Sequence, residues 1–345
     1  MKAAIIHEHG GAEVLKVEDL DEPKPGRGEV VVDVTSAGLN HLDIWVRKGR
    51  PGVTMKMPHV LGSDGAGVVS AVGEGVRRPK EGEQVVISPG ISCGRCEFCG
   101  RGQQSECLEF GIIGLHRPGT YAEKVAVPAE NCHPKPPHLT DQEAGVLTLA
   151  HVTAWRMLVT RAQVKPGETV LIHGIGGGVA LAALQIAKMM GAEVLVTSSS
   201  NQKLSLAKDL RADHTLNYKD ADVTEWVQSE TAGRGVDVAI DAVGAATWPL
   251  DIRCVRKAGR VVICGVTTGP TAETSLQALY WNQLTLMGST LGSHEDHRQM
   301  FRAVAANGLK PVVDKDFPLS EVRQATEWME GEKQFGKIAL RVSGS

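Results

Sequence analysis

Short apolar runs separated by turn residues characterise the first part of the chain. Residues 29–34, 67–72 and 83–87 form such runs, and a turn segment at 25–28 precedes the first of them. Short strands at close spacing, joined through glycine-containing turns, are typical of a compact barrel or sandwich. The pattern therefore predicts a β-rich domain over residues 1–150.

A different rhythm begins near residue 165, where short apolar runs alternate with longer helical patterns. Continuous apolar strands, each followed by a helix, predict a parallel sheet that is covered on both faces. After about residue 290 the pattern predicts two more helices and a final strand. The predicted elements are strands at 169–173, 194–196, 236–240, 260–264 and 337–342, and helices at 179–190, 294–307 and 320–331.

Length, charge and composition exclude several classes of protein. The 345 residues suffice for two domains. Lys and Arg number 37 against 40 Asp and Glu, which argues against a nucleic-acid binder with a large basic surface. No apolar run approaches the roughly 20 residues of a membrane-spanning helix, and the first residues show no signal-peptide pattern. We therefore expect a cytoplasmic protein that acts on a small molecule and binds neither nucleic acid nor membrane.

Four of the seven cysteines lie close together in the sequence. Cys93, Cys96, Cys99 and Cys107 follow the pattern C-x2-C-x2-C-x7-C. Four thiolates at such spacing favour a closed tetrahedral zinc site. Disulfides or unrelated thiols are the alternatives, and disulfides are disfavoured in a chain without a visible secretion signal. We predict one structural zinc ion in a lobe over residues 93–107, because four protein ligands leave no open position for substrate.

A glycine-rich turn lies between the predicted strand at 169–173 and the helix that follows it. Gly174, Gly176, Gly177 and Gly178 form this turn, and Val179 opens the helix. Such glycines allow a tight turn and the close approach of a diphosphate, whose charge the free amides at the helix N-terminus hold. The sequence therefore predicts a dinucleotide-binding site here, with a merely flexible loop as the alternative.

The end of the next strand indicates which dinucleotide is bound. A carboxylate there would accept the ribose 2′-hydroxyl of NAD(H) and repel a 2′-phosphate. The segment at 197–203 reads TSSSNQK and contains no acidic residue. Ser198, Ser199 and Lys203 therefore favour NADP(H) over NAD(H), although Lys203 could instead be a solvated helix residue.

Further motifs make the chain similar to a known family. They are the opening MKAAIIHEHGGAEVL, AGLNHLD at 37–43, LGSDGAGVV at 61–69 and FGKIAL at 335–340. With the cysteine lobe and the glycine turn, they resemble the medium-chain dehydrogenase/reductase superfamily, and its quinone oxidoreductase branch in particular. The resemblance implies an α/β protein with two domains. They are an N-terminal GroES-like β-rich catalytic domain over 1–150 with 289–345, and a Rossmann domain with a doubly wound parallel sheet over 151–288.

Several positions depart from the zinc alcohol dehydrogenases of this superfamily. Those enzymes carry a cysteine where this chain has Asn40, and a histidine–glutamate pair where it has Ser63 and Asp64. Their third zinc ligand would fall near Leu149. Asn, Ser and Leu do not make a zinc site of the usual nitrogen and sulfur kind, so we expect no catalytic zinc. The alternative is an improvised site, whose candidate ligands are His41, Asp43, His59, Asp64 and His151.

The resemblance then implies an NAD(P)H-dependent transfer of hydride to a quinone or an α,β-unsaturated carbonyl. Two alternatives remain open: an alcohol or aldehyde dehydrogenase, and a cofactor-binding protein with little turnover. The proton donor is not identified, and His41 and His151 are its candidates because the pKa of histidine suits this task. The predicted catalytic residues are Asn40, His41, Asp43, Asp64 and His151.

The resemblance also places residues around the cofactor. Lys337 is expected either to meet the diphosphate or to pair with Asp64. The superfamily commonly dimerises through edge strands of the cofactor sheet, and the apolar segment 284–288 would suit a homodimer or homotetramer. The other implied contacts are Thr153 beside the nicotinamide, Gly265, Val266, Ser289 and Thr290 at its carboxamide edge, Val243 near the ribose and Tyr218 near the adenosine.

Overall fold

The computed structural model of the protein describes residues 1–49 and 55–342. The chain divides into two units, Met1–Leu149 with Gly292–Ser345, and Ala150–Leu291. The domain boundaries expected after residues 150 and 288 differ from this division by one and three residues. Each unit is described by itself below.

The described residues form the following strands and helices. The strands are β1 (Lys2–Ile6), β2 (Lys16–Asp19), β3 (Glu29–Gly38), β4 (His59–Val60), β5 (Asp64–Val72), β6 (Gln84–Ile87), β7 (Gly90–Ile91), β8 (Gly111–Ile112), β9 (Lys124–Pro128), β10 (Cys132–Pro134), β11 (Thr169–Ile172), β12 (Glu193–Ser198), β13 (His214–Asn217), β14 (Val236–Asp241), β15 (Val255–Ile263), β16 (Thr285–Gly288), β17 (Val313–Pro318) and β18 (Lys337–Arg341). The helices are α1 (His41–Lys48), α2 (Glu97–Gly100), α3 (Asp141–Gly145), α4 (Thr148–Trp155), α5 (Gly178–Met189), α6 (Asn201–Asp209), α7 (Val223–Glu230), α8 (Trp248–Cys254), α9 (Leu276–Trp281), α10 (His294–Asn307) and α11 (Val322–Glu330).

The predicted parallel sheet is confirmed in the second unit. Its six strands follow the order β13-β12-β11-β14-β15-β16, and every neighbouring pair is parallel. The strands β11 and β14 are buried at every residue, as continuous apolar runs covered on both faces should be. The strand order reverses between β11 and β14, and this is the place where open sheets of this kind bind ligands.

The first unit is β-rich, as predicted. Its largest sheet has the order β10-β6-β5-β3-β18-β17, with β9 also paired to β3. At the end of β3, Gly38 pairs with Asp64 on one side and with Ala339 on the other. A side chain at Gly38 would come within 2.8 Å of the Gly145 carbonyl oxygen, so glycine lets α3 pack against this point. The register therefore places Asn40, Asp64 and Lys337 close together.

The helices of the described residues are short. The longest of them, α10, has 14 residues. In the described part of the chain, no helix combines the length and the apolar character that crossing a bilayer demands.

Candidate functional site

Lys337 lies at the centre of a buried polar network in the first unit. Its ammonium group donates to the Leu39 carbonyl at 2.7 Å, to Asn40 Oδ1 at 2.5 Å and to Asp64 Oδ2 at 3.1 Å. Lys337 is 5% exposed and Asp64 is fully buried. An ammonium group has three donors, and all three are used here. Of the two roles expected for Lys337, the structure therefore shows the pairing with Asp64, which leaves no donor for a cofactor diphosphate.

Both carboxylate oxygens of Asp64 are also engaged. Oδ1 accepts from the Thr148 hydroxyl and from the Leu149 amide, each at 2.6 Å. Oδ2 accepts from Asn40 Nδ2 at 3.0 Å in addition to Lys337. Because its lone pairs serve the chain itself, we assign Asp64 a positioning role instead of the catalytic one expected from the sequence.

Asn40 is held in one orientation by the same network. Its backbone amide donates to Asp43 Oδ2 at 2.8 Å, and Asn40 is the N-cap residue of helix α1. Its side-chain Nδ2 donates to the Gly38 carbonyl at 3.3 Å and to Asp64, while Oδ1 accepts from Lys337. The side-chain amide therefore links three strands of the sheet, and this rigid placement is what it contributes to the site.

Asp43 is a buried carboxyl group next to this network. Tyr121 donates its hydroxyl to Asp43 Oδ2 at 2.8 Å. Burial raises the pKa of Asp43 to about 6, although Tyr121 and the Asn40 amide favour its charged form. Burial and the neighbouring Asp43 raise the pKa of Tyr121 well above its usual value. No signal in the sequence points to Tyr121, because nothing local to it indicates a partner 78 residues away.

The three histidines that were candidate ligands of an alternative metal site do not form one cluster with the other candidates. His59 is buried, and its Nε2 lies 3.1 Å from the Gly114 carbonyl. His41 is the first residue of α1, half-buried, and burial together with nearby Lys337 lowers its pKa. His151 is buried in α4, in the second unit.

The donor set of the first unit does not fit a catalytic zinc. Ser63 turns its hydroxyl to the Ile113 carbonyl at 2.8 Å, and Asn40 and Asp64 are bound to the Lys337 ammonium. The Lys337 ammonium group therefore already binds the side-chain oxygen atoms that a metal ion would need as ligands. Within the described ranges, only the four cysteines bring together three or more metal-binding side chains.

Those cysteines form a compact cluster, as the spacing predicts. The sulfur atoms of Cys93, Cys96, Cys99 and Cys107 all lie within 4.8 Å of one another. Sulfurs bound tetrahedrally to one zinc would be about 3.8 Å apart, so the cluster has a suitable size. Backbone amides of Cys99 and Leu108 lower the pKa of Cys96 to about 6, which favours the thiolate that binds metal. The cluster can therefore hold a metal ion.

The predicted cofactor residues of the second unit lie mainly along one edge of the parallel sheet. Each of the loops concerned follows the carboxyl end of a strand, and these ends meet at the same edge of a parallel sheet. Thr153 and Lys203 are the exceptions, since Thr153 is buried in α4 and Lys203 belongs to α6. The residues at the edge are Gly174, Gly176, Gly177, Gly178 and Val179 after β11, Ser198 and Ser199 at the end of β12, Tyr218 after β13, Val243 after β14, Gly265 and Val266 after β15, and Ser289 and Thr290 after β16.

The glycine turn has the conformation that its sequence requires. Gly174 and Gly176 have φ values of +65° and +119°, which side chains rarely allow. Gly177 precedes the first residue of α5, so the first backbone amides of this helix, which have no acceptor within it, lie next to the turn. A side chain at Gly176 would come within 2.7 Å of Lys203 Cδ, so Lys203 reaches from α6 across the turn.

A backbone hydrogen bond joins the end of β12 to the loop that follows β13. The Tyr218 amide donates to the Ser198 carbonyl at 3.1 Å, and the Tyr218 side chain is 49% exposed. Ser198 is buried, and its hydroxyl accepts from the Ser200 amide at 3.2 Å. Ser198 is therefore committed to the turn, which leaves Ser199 and Lys203 as the better candidates for contact with a ribose substituent.

Two histidines of the first unit, the half-buried His133 and the buried His297, had no signal in the sequence. The rings of His133 and His297 are stacked, with centroids 5.5 Å apart and planes within 6°. His297 Nδ1 lies 3.0 Å from the Ser293 carbonyl, and Nε2 lies 2.6 Å from the Ser88 hydroxyl. Burial lowers the pKa of His133 to about 3 and that of His297 to about 4. Both rings are therefore neutral at neutral pH.

These histidines should make the protein less stable as the pH falls. Their folded pKa values lie below the ordinary 6.5, so the unfolded chain binds more protons below that pH. The free energy of unfolding should fall between pH 6.5 and 5 by about 1.4 kcal/mol per pH unit for each histidine that the unfolded chain protonates. Urea unfolding of His297→Gln over this range should give a shallower decline than the unsubstituted protein. The exposed His7→Gln is the control and should leave the decline unchanged; an equally steep decline in His297→Gln would contradict the assignment.

Comparison with known proteins agrees with this arrangement. The family model described as alcohol dehydrogenase GroES-like domain matches residues 26–137, and the one described as zinc-binding dehydrogenase matches 178–306. A zinc-type alcohol dehydrogenase-like protein of Schizosaccharomyces pombe is 33% identical, over 98% of both chains. A solved NAD-dependent alcohol dehydrogenase is 42% identical with a TM-score of 0.94, covering 99% of this chain and 100% of that one. A crotonyl-CoA carboxylase/reductase in complex with NADP is 27% identical with a TM-score of 0.92, covering 100% of this chain and 95% of that one.

Proposed function

The chain belongs to the medium-chain dehydrogenase/reductase superfamily, and from that premise we propose that it reduces a quinone or an α,β-unsaturated carbonyl with NADPH and without a catalytic metal. An NAD(P)-dependent oxidoreductase is the coarser statement that its relatives support. The observation that carries the finer proposal is the network in which Lys337 binds Asn40 and Asp64.

The reaction follows from what this network offers. Oxidation of a simple alcohol needs a group that withdraws charge from the alcohol oxygen, and zinc supplies it where a metal site exists. Acceptors that already carry a conjugated carbonyl or quinone need positioning and a hydrogen bond to their oxygen instead. The nicotinamide, when bound, supplies the hydride. Asn40 and Thr153 are the residues we expect beside it, and His41 and His151 remain the candidate proton donors.

The relatives lend support to two different reactions. The name of the crotonyl-CoA carboxylase/reductase describes the reduction of a conjugated thioester, which agrees with the proposal. The names of the alcohol dehydrogenases favour a second candidate, the oxidation of an alcohol or the reduction of an aldehyde. A cofactor-binding protein with little turnover is the third possibility.

A substrate panel with both nicotinamide cofactors distinguishes these functions. The panel should contain simple quinones, cyclic enones, an enoyl thioester, primary alcohols and the matching aldehydes. Oxidation of NADPH by quinones or enones, with no turnover of alcohols, is the result we expect. Turnover of alcohols and aldehydes alone would favour the second candidate and contradict the proposal. Tight binding of cofactor without turnover of any compound would favour the third.

The preference for NADPH should depend on Lys203. Lys203 lies in α6, which follows β12, and its charge attracts a 2′-phosphate; residues 197–203 contain no acidic residue to repel it. Lys203→Ala should raise the KM for NADPH about tenfold and leave that for NADH nearly unchanged. Lys208→Ala, an exposed lysine on the same helix, is the control and should change neither value. An equal loss for both cofactors would show that Lys203 serves the diphosphate that the two share.

We also propose that two or four copies of the chain assemble. Strand β16 is at the edge of the parallel sheet, and the neighbouring helix α9 exposes three large apolar side chains. Leu276 is 71% exposed, Tyr280 66% and Trp281 68%. Such a surface next to an open strand edge suits a homodimer or homotetramer. In light scattering, the double substitution of Tyr280 and Trp281 by serine should yield monomers, and an unchanged assembly would contradict this choice of surface.

A further inference from the structure

A cluster of one imidazole and two carboxyl groups lies directly beneath the glycine turn. His173 follows β11, Asp241 ends β14, and Asp251 belongs to α8; all three are buried. His173 Nε2 lies 3.0 Å from Asp251 Oδ1, and Nδ1 lies 3.1 Å from the Thr197 hydroxyl at the end of β12. The cluster therefore connects the central strands of the sheet with the helix that packs on them.

Hydrogen bonds connect this cluster to the loops that we expect to face the cofactor. The Ile175 amide of the glycine turn donates to the Thr197 carbonyl at 2.9 Å. Asp241 Oδ1 accepts from the amides of Val243 at 2.6 Å and Gly244 at 3.0 Å, in the loop after β14. A change of charge in the cluster would thus act close to the place where the diphosphate is expected.

The two carboxyl groups are unequally supplied with donors. Asp241 also accepts from the Thr247 hydroxyl at 2.9 Å, so its carboxyl group has three donors. Asp251 Oδ2 is buried and meets no donor within the part of the chain that the structure describes. Two buried carboxylates beside one imidazole cost much free energy unless a proton is retained.

The direction of the pKa shifts agrees with a retained proton. Burial, with a further contribution from Asp241, raises the pKa of Asp251 to about 7, although His173 opposes the shift. Burial disfavours a charge on His173, but the charge of Asp251 outweighs it and raises the pKa of His173. The two groups therefore titrate as a pair, and either arrangement of the proton gives the pair the same charge.

We propose that His173 and Asp251 share one proton beneath the glycine turn, and that releasing this proton weakens the binding of the cofactor's diphosphate. Release of this proton leaves one more negative charge beneath an anionic ligand, and that charge opposes binding of the ligand. This linkage goes beyond the proposed reaction, because it applies to either nicotinamide cofactor and to any acceptor.

Other groups also face the cluster. Asp241, from β14, accepts hydrogen bonds from three donors. Lys203 reaches over the turn from α6. Burial raises the pKa of Cys264, after β15, to about 12, so it stays a neutral thiol. We expect the pair of His173 and Asp251 to titrate between pH 6 and 9.

Calorimetric titration of the full chain with ADP-ribose tests this linkage. ADP-ribose carries the diphosphate but neither a 2′-phosphate nor a nicotinamide, so neither group contributes to the pH dependence. Its dissociation constant should rise about tenfold between pH 6 and 9. Asp251→Asn should make the constant independent of pH. Asp209→Asn removes an exposed carboxylate of α6 and should keep the dependence of the unsubstituted protein.

A second variant keeps the proposal testable if Asp251→Asn does not fold. In His173→Gln the imidazole is no longer available to the proton, which then resides on Asp251 alone, so the midpoint of the pH dependence should shift. A dissociation constant that is flat from pH 6 to 9 in the unsubstituted protein would overturn the proposal. So would an unaltered dependence in Asp251→Asn, or an unaltered midpoint in His173→Gln. These titrations test only the linkage, whereas the substrate panel tests only the proposed reaction, so the failure of one proposal is distinguishable from the failure of the other.

Discussion

Replacing Lys337 by methionine should lower the free energy of unfolding by about 3–5 kcal/mol. The substitution leaves the fully buried Asp64 without its cation, and it removes the hydrogen bond that fixes Asn40 Oδ1. An uncompensated buried carboxylate is costly because neither water nor a counter-charge reaches it. The loss should be measured by denaturant unfolding near pH 7.

A double variant separates the charge from the packing. Lys337→Met combined with Asp64→Asn removes both charges, so much of the lost stability should return. Lys333→Met, an exposed lysine four positions earlier, is the matched control and should cost about 0.5 kcal/mol or less. If Lys337→Met were as stable as this control, the buried ion pair would not exist in solution. If the double variant were no better than Lys337→Met alone, packing and not charge would explain the loss.

Replacing Cys107 by serine should abolish zinc binding in the lobe over 93–107. We propose that the four clustered thiols hold one structural zinc, and three remaining thiols do not complete its tetrahedral sphere. Because a bound structural metal contributes its binding free energy to folding, the melting temperature should fall by about 5–10 °C. Elemental analysis and calorimetry measure the two effects on the same sample.

Cys132 provides the control for this substitution. It is half-buried and lies outside the cluster, so Cys132→Ala should keep one zinc ion per chain. Cys107→Ser that retains the zinc would contradict the four-cysteine assignment. Loss of zinc without any change in melting temperature would contradict a structural role for the ion.

The sequence was informative wherever the signal is local. Continuous apolar runs predicted the parallel sheet, since a strand buried on both faces has few alternatives. The glycines at 174 and 176 predicted the turn after β11, because their positive φ values exclude most other residues. The spacing of the four cysteines likewise predicted a cluster that the structure brings within 4.8 Å.

The partners of the buried charges were much harder to predict. Lys337 and Asp64 are separated by 273 residues, and His173 and Asp251 by 78, so no local spacing connects them. For this reason the sequence leaves the role of Lys337 open and predicts Asp64 as a catalytic group. His173 alone offered a hint, since it directly precedes the glycine turn, but its partner lies in a helix without any recognisable motif. These contacts depend on which distant elements become neighbours in the fold, and no short motif of the sequence states that.

Zinc content measured together with activity tests the central claim most directly. We claim that hydride transfer proceeds at a site whose acceptors are occupied by Lys337, so the active protein should contain one zinc per chain, bound by the four cysteines. Reductase activity on quinones or enones should persist in protein with that single ion, and mild chelation should not abolish it. Two zinc ions per chain, with activity lost in proportion to removal of the second, would contradict the account.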